Sequence, residues 1–197
     1  MPQHQIREIL APHSIVPVVA FEKKDDPLRL TEYLLQQEIR CIEVTLRTAY
    51  AEKAMRDIRS EFGSEMTIGA GTVVKEDQLK SLKDLDIDFL VSPGTTPALI
   101  HAFEASKIAY LPGVTTPSEI IQAIHLGLDT LKFFPAELFG GIKTIKTYQS
   151  VFSDLKFCPT GGITKESAQE YLSLKNVIAV GGSWIQKDFK NYTTITQ

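Results

Sequence analysis

Short apolar runs alternate along this chain with longer segments in which apolar residues recur every three or four positions. The short runs are rich in Val, Ile and Phe and predict buried β-strands, whereas the longer segments predict amphipathic helices. We place strands near residues 15–20, 41–45, 67–70, 89–91, 109–111, 130–133, 156–159 and 177–180. We place helices over residues 27–37, 51–62, 75–85, 97–106, 117–126, 142–152 and 165–174. Such alternation is typical of an α/β fold with a parallel sheet.

Eight strands that alternate with helices predict a closed (β/α)8 TIM barrel. A further apolar pattern over residues 5–11 predicts an extra N-terminal helix that covers the bottom of the barrel. The chain has 197 residues, whereas the typical barrel of this kind has about 250, so we expect a barrel of minimal length with tight loops. No linker or low-complexity stretch interrupts the pattern, and we expect residues 1–197 to form a single domain.

Composition and charge narrow the kinds of partner. The chain is 43% hydrophobic, with a formal net charge of -3 and a pI near 5.8. Because no run of Lys or Arg is longer than two residues, the chain has no electrostatic footprint for nucleic acid or an anionic membrane, and a small-molecule partner is favoured. The N-terminus lacks the apolar core of a signal peptide and no stretch of eighteen apolar residues occurs, which predicts a cytoplasmic protein.

Lys132 is the strongest chemical signal in the sequence. It lies in the run Leu131-Lys132-Phe133-Phe134, where a buried strand is about to leave the core. An ammonium among Leu and Phe side chains is poorly solvated, which favours the neutral, nucleophilic amine and predicts Schiff-base chemistry. The alternative is that the stem packs while the ammonium reaches solvent, which is the commoner fate of a lone strand-end Lys.

A second polar set follows the second predicted strand. The two-residue alternation of a strand sends Glu43, Thr45 and Arg47 to the same side. If that side is the barrel interior, a carboxylate and a guanidinium enter it together with Lys132. A purely structural Glu-Arg pair is the alternative, and it is equally plausible without Lys132.

Two paired glycine turns follow the last two predicted strands. They are Gly161-Gly162 and Gly181-Gly182, flanked by the hydroxyl residues Thr160 and Ser183. Exposed N–H groups at helix starts attract anions, so these turns predict a phosphate site. Earlier, Gly69-Ala70-Gly71-Thr72 offers room for a ligand near the backbone and a hydroxyl at the rim. Turn geometry alone is the alternative for either pair, but it is less plausible for both together.

Other residue types do not compete with this set. The remaining Lys residues fall on predicted helices or loops, and the four His residues lack the spacing of metal ligands. Cys41 and Cys158 lie far apart in apolar strands without CxxC spacing, which predicts buried, reduced thiols. We therefore expect neither a metal nor another cofactor.

Six motifs together resemble the 2-dehydro-3-deoxy-6-phosphogluconate (KDPG) aldolase and 4-hydroxy-2-oxoglutarate aldolase family, in its order and at its spacings. The resemblance as a whole spans about residues 10 to 186. The motifs are Glu43-Val44-Thr45-Leu46-Arg47-Thr48, Gly69-Ala70-Gly71-Thr72, Ser92-Pro93-Gly94, Lys132-Phe133-Phe134-Pro135-Ala136-Glu137, Cys158-Pro159-Thr160-Gly161-Gly162-Ile163 and Gly181-Gly182-Ser183-Trp184.

The resemblance implies roles for individual residues. It implies that Lys132 forms the Schiff base, that Glu43 transfers protons, and that Arg47 and Thr72 hold the pyruvyl carboxylate. Residues that match the family's phosphate loops or line its pocket are Gly161, Gly162, Gly182, Ser183, Pro93, Phe134 and Thr160. It further implies cleavage of KDPG to pyruvate and D-glyceraldehyde 3-phosphate, activity on 4-hydroxy-2-oxoglutarate, and a homotrimer without metal.

The chain departs from the family's pattern near its C-terminus. The family continues into a full final helix, whereas residues 186–197 are short and rich in β-branched Thr, which predicts a shortened helix. Three other functions stay open. They are an aldolase for the galactonate epimer, a non-catalytic barrel that binds a phosphate ligand, and a phosphate-barrel isomerase that does not need Lys132.

Overall fold

A computed structural model of the chain describes residues 2–195 as parallel strands surrounded by helices. The strands are β1 Ile15–Val19, β2 Cys41–Thr45, β3 Thr67–Gly71, β4 Phe89–Val91, β5 Ala109–Leu111, β6 Gly113–Val114, β7 Thr130–Phe133, β8 Lys156–Pro159 and β9 Val180–Gly182. The helices are α1 Pro2–Leu10, α2 Pro27–Gln36, α3 Ala51–Phe62, α4 Gln78–Leu82, α5 Pro97–Ser106, α6 Pro117–His125, α7 Gly141–Val151, α8 Lys165–Leu172 and α9 Trp184–Ile195.

The strands close into an α/β barrel, as the sequence predicts. One sheet has the order β5-β4-β3-β2-β1-β9, and a second has the order β6-β7-β8. Pro112 alone separates β5 from β6. The strand is interrupted there because proline lacks the N–H that would continue the hydrogen-bond ladder. Single bridges from Phe157 to Val177 and from Thr160 to Gly181 join β8 to β9. Counting β5 and β6 as one interrupted strand gives eight barrel positions.

Two element predictions are wrong. The last strand is predicted over residues 177–180, but β9 begins at Val180 and continues into glycines that the pattern assigns to a turn; Val180, Gly181 and Gly182 pair with β1. The fourth helix is predicted over residues 75–85 and covers only Gln78–Leu82. The Gln78 side-chain oxygen accepts hydrogen bonds from the backbone N–H groups of Val74 and Lys75. These two hydrogen bonds hold the chain in a turn before the helix begins. The N-terminal helix begins three residues earlier than predicted, and the other predicted helices from α2 to α8 agree within two residues at their ends.

Apolar side chains pack in two zones. The outer zone lies between the strands and the helices and includes Leu34, Met55, Ile68, Leu90 and Ile120. The inner zone fills the barrel with side chains from alternate strand positions, namely Val16, Cys41, Phe89, Val91, Ala109, Leu111, Cys158 and Ala179. Because the inner zone is apolar, the polar groups of the barrel are confined to its other end.

Helix α1 packs against the inner zone before β1 begins. Its Ile6 and Leu10 are fully buried and belong to the same cluster as the barrel interior. Arg7 Nε donates to Thr130 Oγ1 at 3.1 Å, and its Nη2 donates to the carbonyl of Asp129 at 3.0 Å. The α9 helix spans twelve residues, and residues 196 and 197 lie outside the described range. Its shortening relative to the family stays a prediction.

Substituting Ile6→Ala tests the contribution of α1. The change removes a fully buried side chain from the inner zone and should lower the free energy of unfolding by about 2–4 kcal/mol. Urea denaturation followed by circular dichroism measures the change. Glu8→Ala on the exposed side of the same helix should shift the midpoint little. Equal midpoints for the two variants would contradict the packing role of α1.

Candidate active site

Lys132 and Glu43 meet inside the barrel near the carboxyl ends of the strands. Lys132 is the third residue of β7 and Glu43 the third residue of β2. Lys132 Nζ lies 3.2 Å from Glu43 Oε1 and 3.4 Å from Oε2, and both side chains are almost fully buried. The amine therefore lies against a carboxylate inside the barrel and not among apolar side chains alone.

The space for Glu43 comes from a glycine. A Cβ added to Gly71 on the neighbouring β3 would lie 2.2 Å from Glu43 Oε1, so any other residue would collide with the carboxylate. Gly69 similarly makes room for the Phe89 ring, at 2.3 Å from the added Cβ. The glycines of this motif admit the protein's own side chains, whereas the sequence predicts that they admit a ligand.

A cavity of about 260 Å³ opens above the ion pair. Its lining includes Lys132 and Glu43 and residues that follow several different strands, namely Val18, Thr45, Arg47, Thr72, Pro93, Phe134 and Thr160. The Lys132 ammonium lies 5.4 Å from the centroid of the Phe134 ring. A small acid that enters this cavity therefore meets an amine, a carboxylate, a guanidinium and a hydroxyl.

Arg47 is held in place by its neighbour on the strand. Thr45 Oγ1 accepts a hydrogen bond from Arg47 Nε at 3.0 Å and donates one to the carbonyl of Val19 at 3.0 Å. The Thr45 hydroxyl thus uses both of its hydrogen-bonding capacities to fix the guanidinium. The fork of the guanidinium is suited to a carboxylate.

Thr72 has a strained backbone. Its φ is 62°, which a β-branched residue rarely adopts and which costs on the order of 1–3 kcal/mol. The residue directly follows β3 and lines the cavity. Strain that persists at a cavity wall favours a binding role for Thr72.

A second cavity of about 140 Å³ adjoins the first. It shares Val18, Arg47, Phe134 and Thr160 with the first cavity, and its remaining lining is Gly161, Gly162, Ile163, Gly181, Gly182 and Ser183. Both glycine turns of the sequence analysis therefore meet at one place. Gly161-Gly162 lie shortly before α8, and Gly181-Gly182 end β9 shortly before α9. The N-terminal N–H groups of both helices favour an anion.

All eleven residues that the sequence analysis selects line one of these two cavities. Two further lining residues, Thr45 and Gly181, belong to the predicted polar set and glycine pair but are given no individual role, and Val18 and Ile163 are not predicted as site residues. The strand alternation that selects Glu43 and Arg47 also sends Thr45 to their side. Val18 and Ile163 carry no chemical signal, because an apolar residue near a strand end is equally compatible with the core.

The two thiols are not nucleophiles of this site. Cys41 and Cys158 are free and buried, in agreement with the sequence. Cys158 is the register partner of Lys132, and burial raises the pKa of its thiol to about 12. Burial also raises the pKa of Cys41. Both thiols therefore stay protonated at neutral pH.

The described part of the chain also bears on metal binding and on membrane insertion. Among residues 2–195, no group of three or more His, Cys, Asp or Glu side chains has an arrangement that could hold a metal ion. None of the helices within this described range is sufficiently long and apolar to cross a membrane.

Comparison with known proteins agrees with the geometry. The family model described as "KDPG and KHG aldolase" matches residues 6–197. The chain belongs to this aldolase family. The KHG/KDPG aldolase of Escherichia coli K12 is 39% identical over 177 residues, which cover 90% of this chain and 83% of that protein.

Two solved structures with similar sequences have the same fold. The KDPG aldolase of Legionella pneumophila, with pyruvate captured at low pH as a covalent carbinolamine intermediate, has a TM-score of 0.89 at 38% identity. The match covers 98% of this chain and 92% of that one. The Zymomonas mobilis ZM4 aldolase with 3-phosphoglycerate has a TM-score of 0.87 at 38% identity and covers 92% and 86%.

Proposed function

We propose that this chain is a class I aldolase that cleaves KDPG to pyruvate and D-glyceraldehyde 3-phosphate and that also cleaves 4-hydroxy-2-oxoglutarate to pyruvate and glyoxylate. One observation carries the proposal: the amine of Lys132 is buried within hydrogen-bond distance of Glu43, at the base of a cavity that continues into paired glycine turns. The relatives named above are KDPG aldolases, which gives the galactonate epimer less support.

The first step forms a bond between Lys132 Nζ and the C2 ketone of the substrate. The ammonium must lose a proton before it attacks, and Glu43 lies within 3.2 Å to accept that proton. Glu43 then returns this proton to the hydroxyl of the resulting carbinolamine. The hydroxyl leaves as water, so that an iminium and the Glu43 carboxylate remain. The carbinolamine of pyruvate in the Legionella relative supports a covalent route through the ketone carbon.

The second step breaks the C3–C4 bond of the substrate. Glu43, directly or through a water molecule, removes the proton of the C4 hydroxyl, and the electrons of the breaking bond move into the iminium. The aldehyde leaves, and an enamine of pyruvate remains on Lys132. Protonation of the enamine at C3 and hydrolysis of the imine then release pyruvate. Every group in this sequence comes from the chain, the substrate or water, so the reaction as written needs no cofactor.

The two ends of the substrate would be held by different parts of the barrel. Arg47 and Thr72 in the first cavity suit the carboxylate, because a guanidinium fork and a hydroxyl can donate to its oxygens. The glycine turns with Thr160 and Ser183 in the second cavity suit the phosphate. Pro93 and Phe134 provide apolar walls around the reacting carbons. Anchoring at both ends would hold C2 of the ketone beside Lys132.

Borohydride reduction in the presence of pyruvate tests the covalent step. Reduction should trap a pyruvyl adduct on Lys132, located by mass spectrometry of the peptides, because borohydride converts the imine to a stable amine. Lys132→Met should abolish the adduct. Lys156→Met is a matched control, because Lys156 is also on a strand but at its amino end, and this variant should still be trapped. An unmodified Lys132 in the unaltered chain would favour the non-catalytic barrel.

Substituting Glu43→Gln tests proton transfer separately from imine formation. Without the carboxylate, kcat for KDPG cleavage should fall by about 10²- to 10⁴-fold, which is the usual contribution of a general acid-base group. Lys132 of this variant should still be trapped with pyruvate and borohydride, but trapping should take longer. Glu61→Gln, on the exposed surface of α3, should leave both measurements unchanged. A kcat within tenfold of the unaltered value would rule out Glu43 as the proton carrier.

We also propose that the chain forms a homotrimer. Exposed apolar side chains occur on α6, α7 and the loop between β7 and α7, namely Ile121, Ile124, Leu138, Phe139 and Val151. Contiguous exposed apolar residues mark protein interfaces, and Ile124 and Val151 line one surface cavity of about 380 Å³. Light scattering should give about three times the chain mass of 21.9 kDa. A mass of one chain at micromolar concentration would contradict the trimer.

A further inference from the structure

A tyrosine and a glutamate outside both cavities join the loop after β7 to the helix after β8. Tyr171 of α8 is fully buried, and its Oη donates a 2.6 Å hydrogen bond to Glu137 Oε1. Glu137 begins a short 3-10 helix, Glu137–Phe139, five residues after Lys132. The glycine turn Gly161-Gly162 leads into α8. One hydrogen bond therefore links the segment that carries the amine with the segment that carries the expected phosphate site.

The backbones of the two segments are also in direct contact. The N–H of Ala136 donates to the carbonyl of Thr160 at 2.8 Å, and the N–H of Glu137 donates to the carbonyl of Gly161 at 3.1 Å. A Cβ added to Gly162 would lie 2.7 Å from Glu137 Cβ, and one added to Gly141 would lie 2.8 Å from Tyr171 Oη. A side chain at Gly162 would therefore collide with Glu137, and one at Gly141 would collide with Tyr171.

Charge gives the hydrogen bond a second effect. Glu137 is exposed and directly beside Gly162, so its carboxylate is near the place where a phosphate would bind. Like charges repel, and a freely moving carboxylate there would weaken phosphate binding. Burial and the neighbouring Glu137 raise the pKa of Tyr171, which keeps the phenol protonated as a donor. The buried donor thus holds the carboxylate in a fixed place.

We propose that Glu137 and Tyr171 are positioning residues for the phosphate of the substrate. They set the distance between the Gly161-Gly162 turn and Lys132 and restrain a carboxylate beside the phosphate, but neither lines either cavity. This proposal rests on the aldolase function proposed above. It assigns the preference for phosphorylated over unphosphorylated keto acids to a pair of residues away from the substrate.

Kinetics with two substrates test the assignment. Tyr171→Phe removes only the hydroxyl and should raise KM for KDPG by about fivefold to tenfold. The kcat/KM for 4-hydroxy-2-oxoglutarate, which has no phosphate, should stay within about twofold. Glu137→Ala breaks the same hydrogen bond but also removes the carboxylate, so KM for KDPG should rise less than in Tyr171→Phe. The double variant should match Glu137→Ala, because no carboxylate is left for the tyrosine to restrain. Glu137→Gln keeps an acceptor for Tyr171 and should keep KM at or below the unaltered value.

Tyr148→Phe is the matched control. Tyr148 Oη donates to the carbonyl of Thr115 at 2.9 Å, so the change removes another tyrosine hydrogen bond to a loop, but away from the glycine turns. Both substrates should be cleaved as by the unaltered chain. Thermal unfolding of all variants shows whether a lower activity follows from loss of stability, and the two-substrate comparison separates a selective effect from a general one.

A binding measurement separates this proposal from the aldolase function. Trp184 is the only tryptophan of the chain. Its ring lies directly beside Gly182, since a Cβ added to Gly182 would be 1.6 Å from Trp184 Cζ3. Its fluorescence should therefore report binding of inorganic phosphate without any turnover, and Tyr171→Phe should raise the dissociation constant by about fivefold to tenfold. If the unaltered chain cleaves neither substrate, the aldolase proposal fails. The phosphate titration would still show whether Tyr171 affects the affinity for phosphate. An unchanged phosphate affinity, or equal losses on both substrates, would overturn the positioning role.

Discussion

The buried pair of Lys132 and Glu43 determines how the rest of the barrel is organised. Removing two charges from water is costly, and mutual attraction repays this only in part, so a pair of this kind is poor evidence for stability. The chain nevertheless accommodates it: Gly71 provides the space for the carboxylate, and the pair lies at the base of a cavity. A barrel built for stability alone would place apolar residues at both positions, and so the pair is best explained by chemistry.

Stability comes from the opposite end of the barrel. There the interior contains Val16, Phe89, Val91 and Leu111, and α1 adds Ile6 and Leu10. The outer zone of apolar contacts is independent of the interior and fixes each helix to its strands. Because both zones are apolar, the strand ends can carry a charged pair and a strained Thr72 at little risk to folding. The division matches the general rule that catalytic groups of such barrels follow the carboxyl ends of the strands.

Most of the fold could be predicted from the sequence, because strands and helices have different periods and alternate without interruption. The last strand could not, because Gly181 and Gly182 indicate a turn, whereas pairing with β1 makes them part of β9. The chemical residues of the site were also accessible, since Lys, Glu and Arg are unusual at strand ends. The role of Gly71 could not be predicted, because a glycine that admits a neighbouring side chain and one that admits a ligand have the same sequence signal.

Two glycines at the carboxyl ends of the strands make room for a side chain and also line a cavity. Gly182 must leave space for the Trp184 ring and Gly162 for Glu137, while both line the cavity proposed for phosphate. A turn that is tightly packed from behind and open in front has a fixed position, which an anion site made from backbone N–H groups needs. Side chains of a phosphate site can adjust their rotamers, but backbone donors move only with the whole turn. Residues behind the turn, such as Trp184, Glu137 and Tyr171, therefore affect binding as directly as the residues that would contact the ligand.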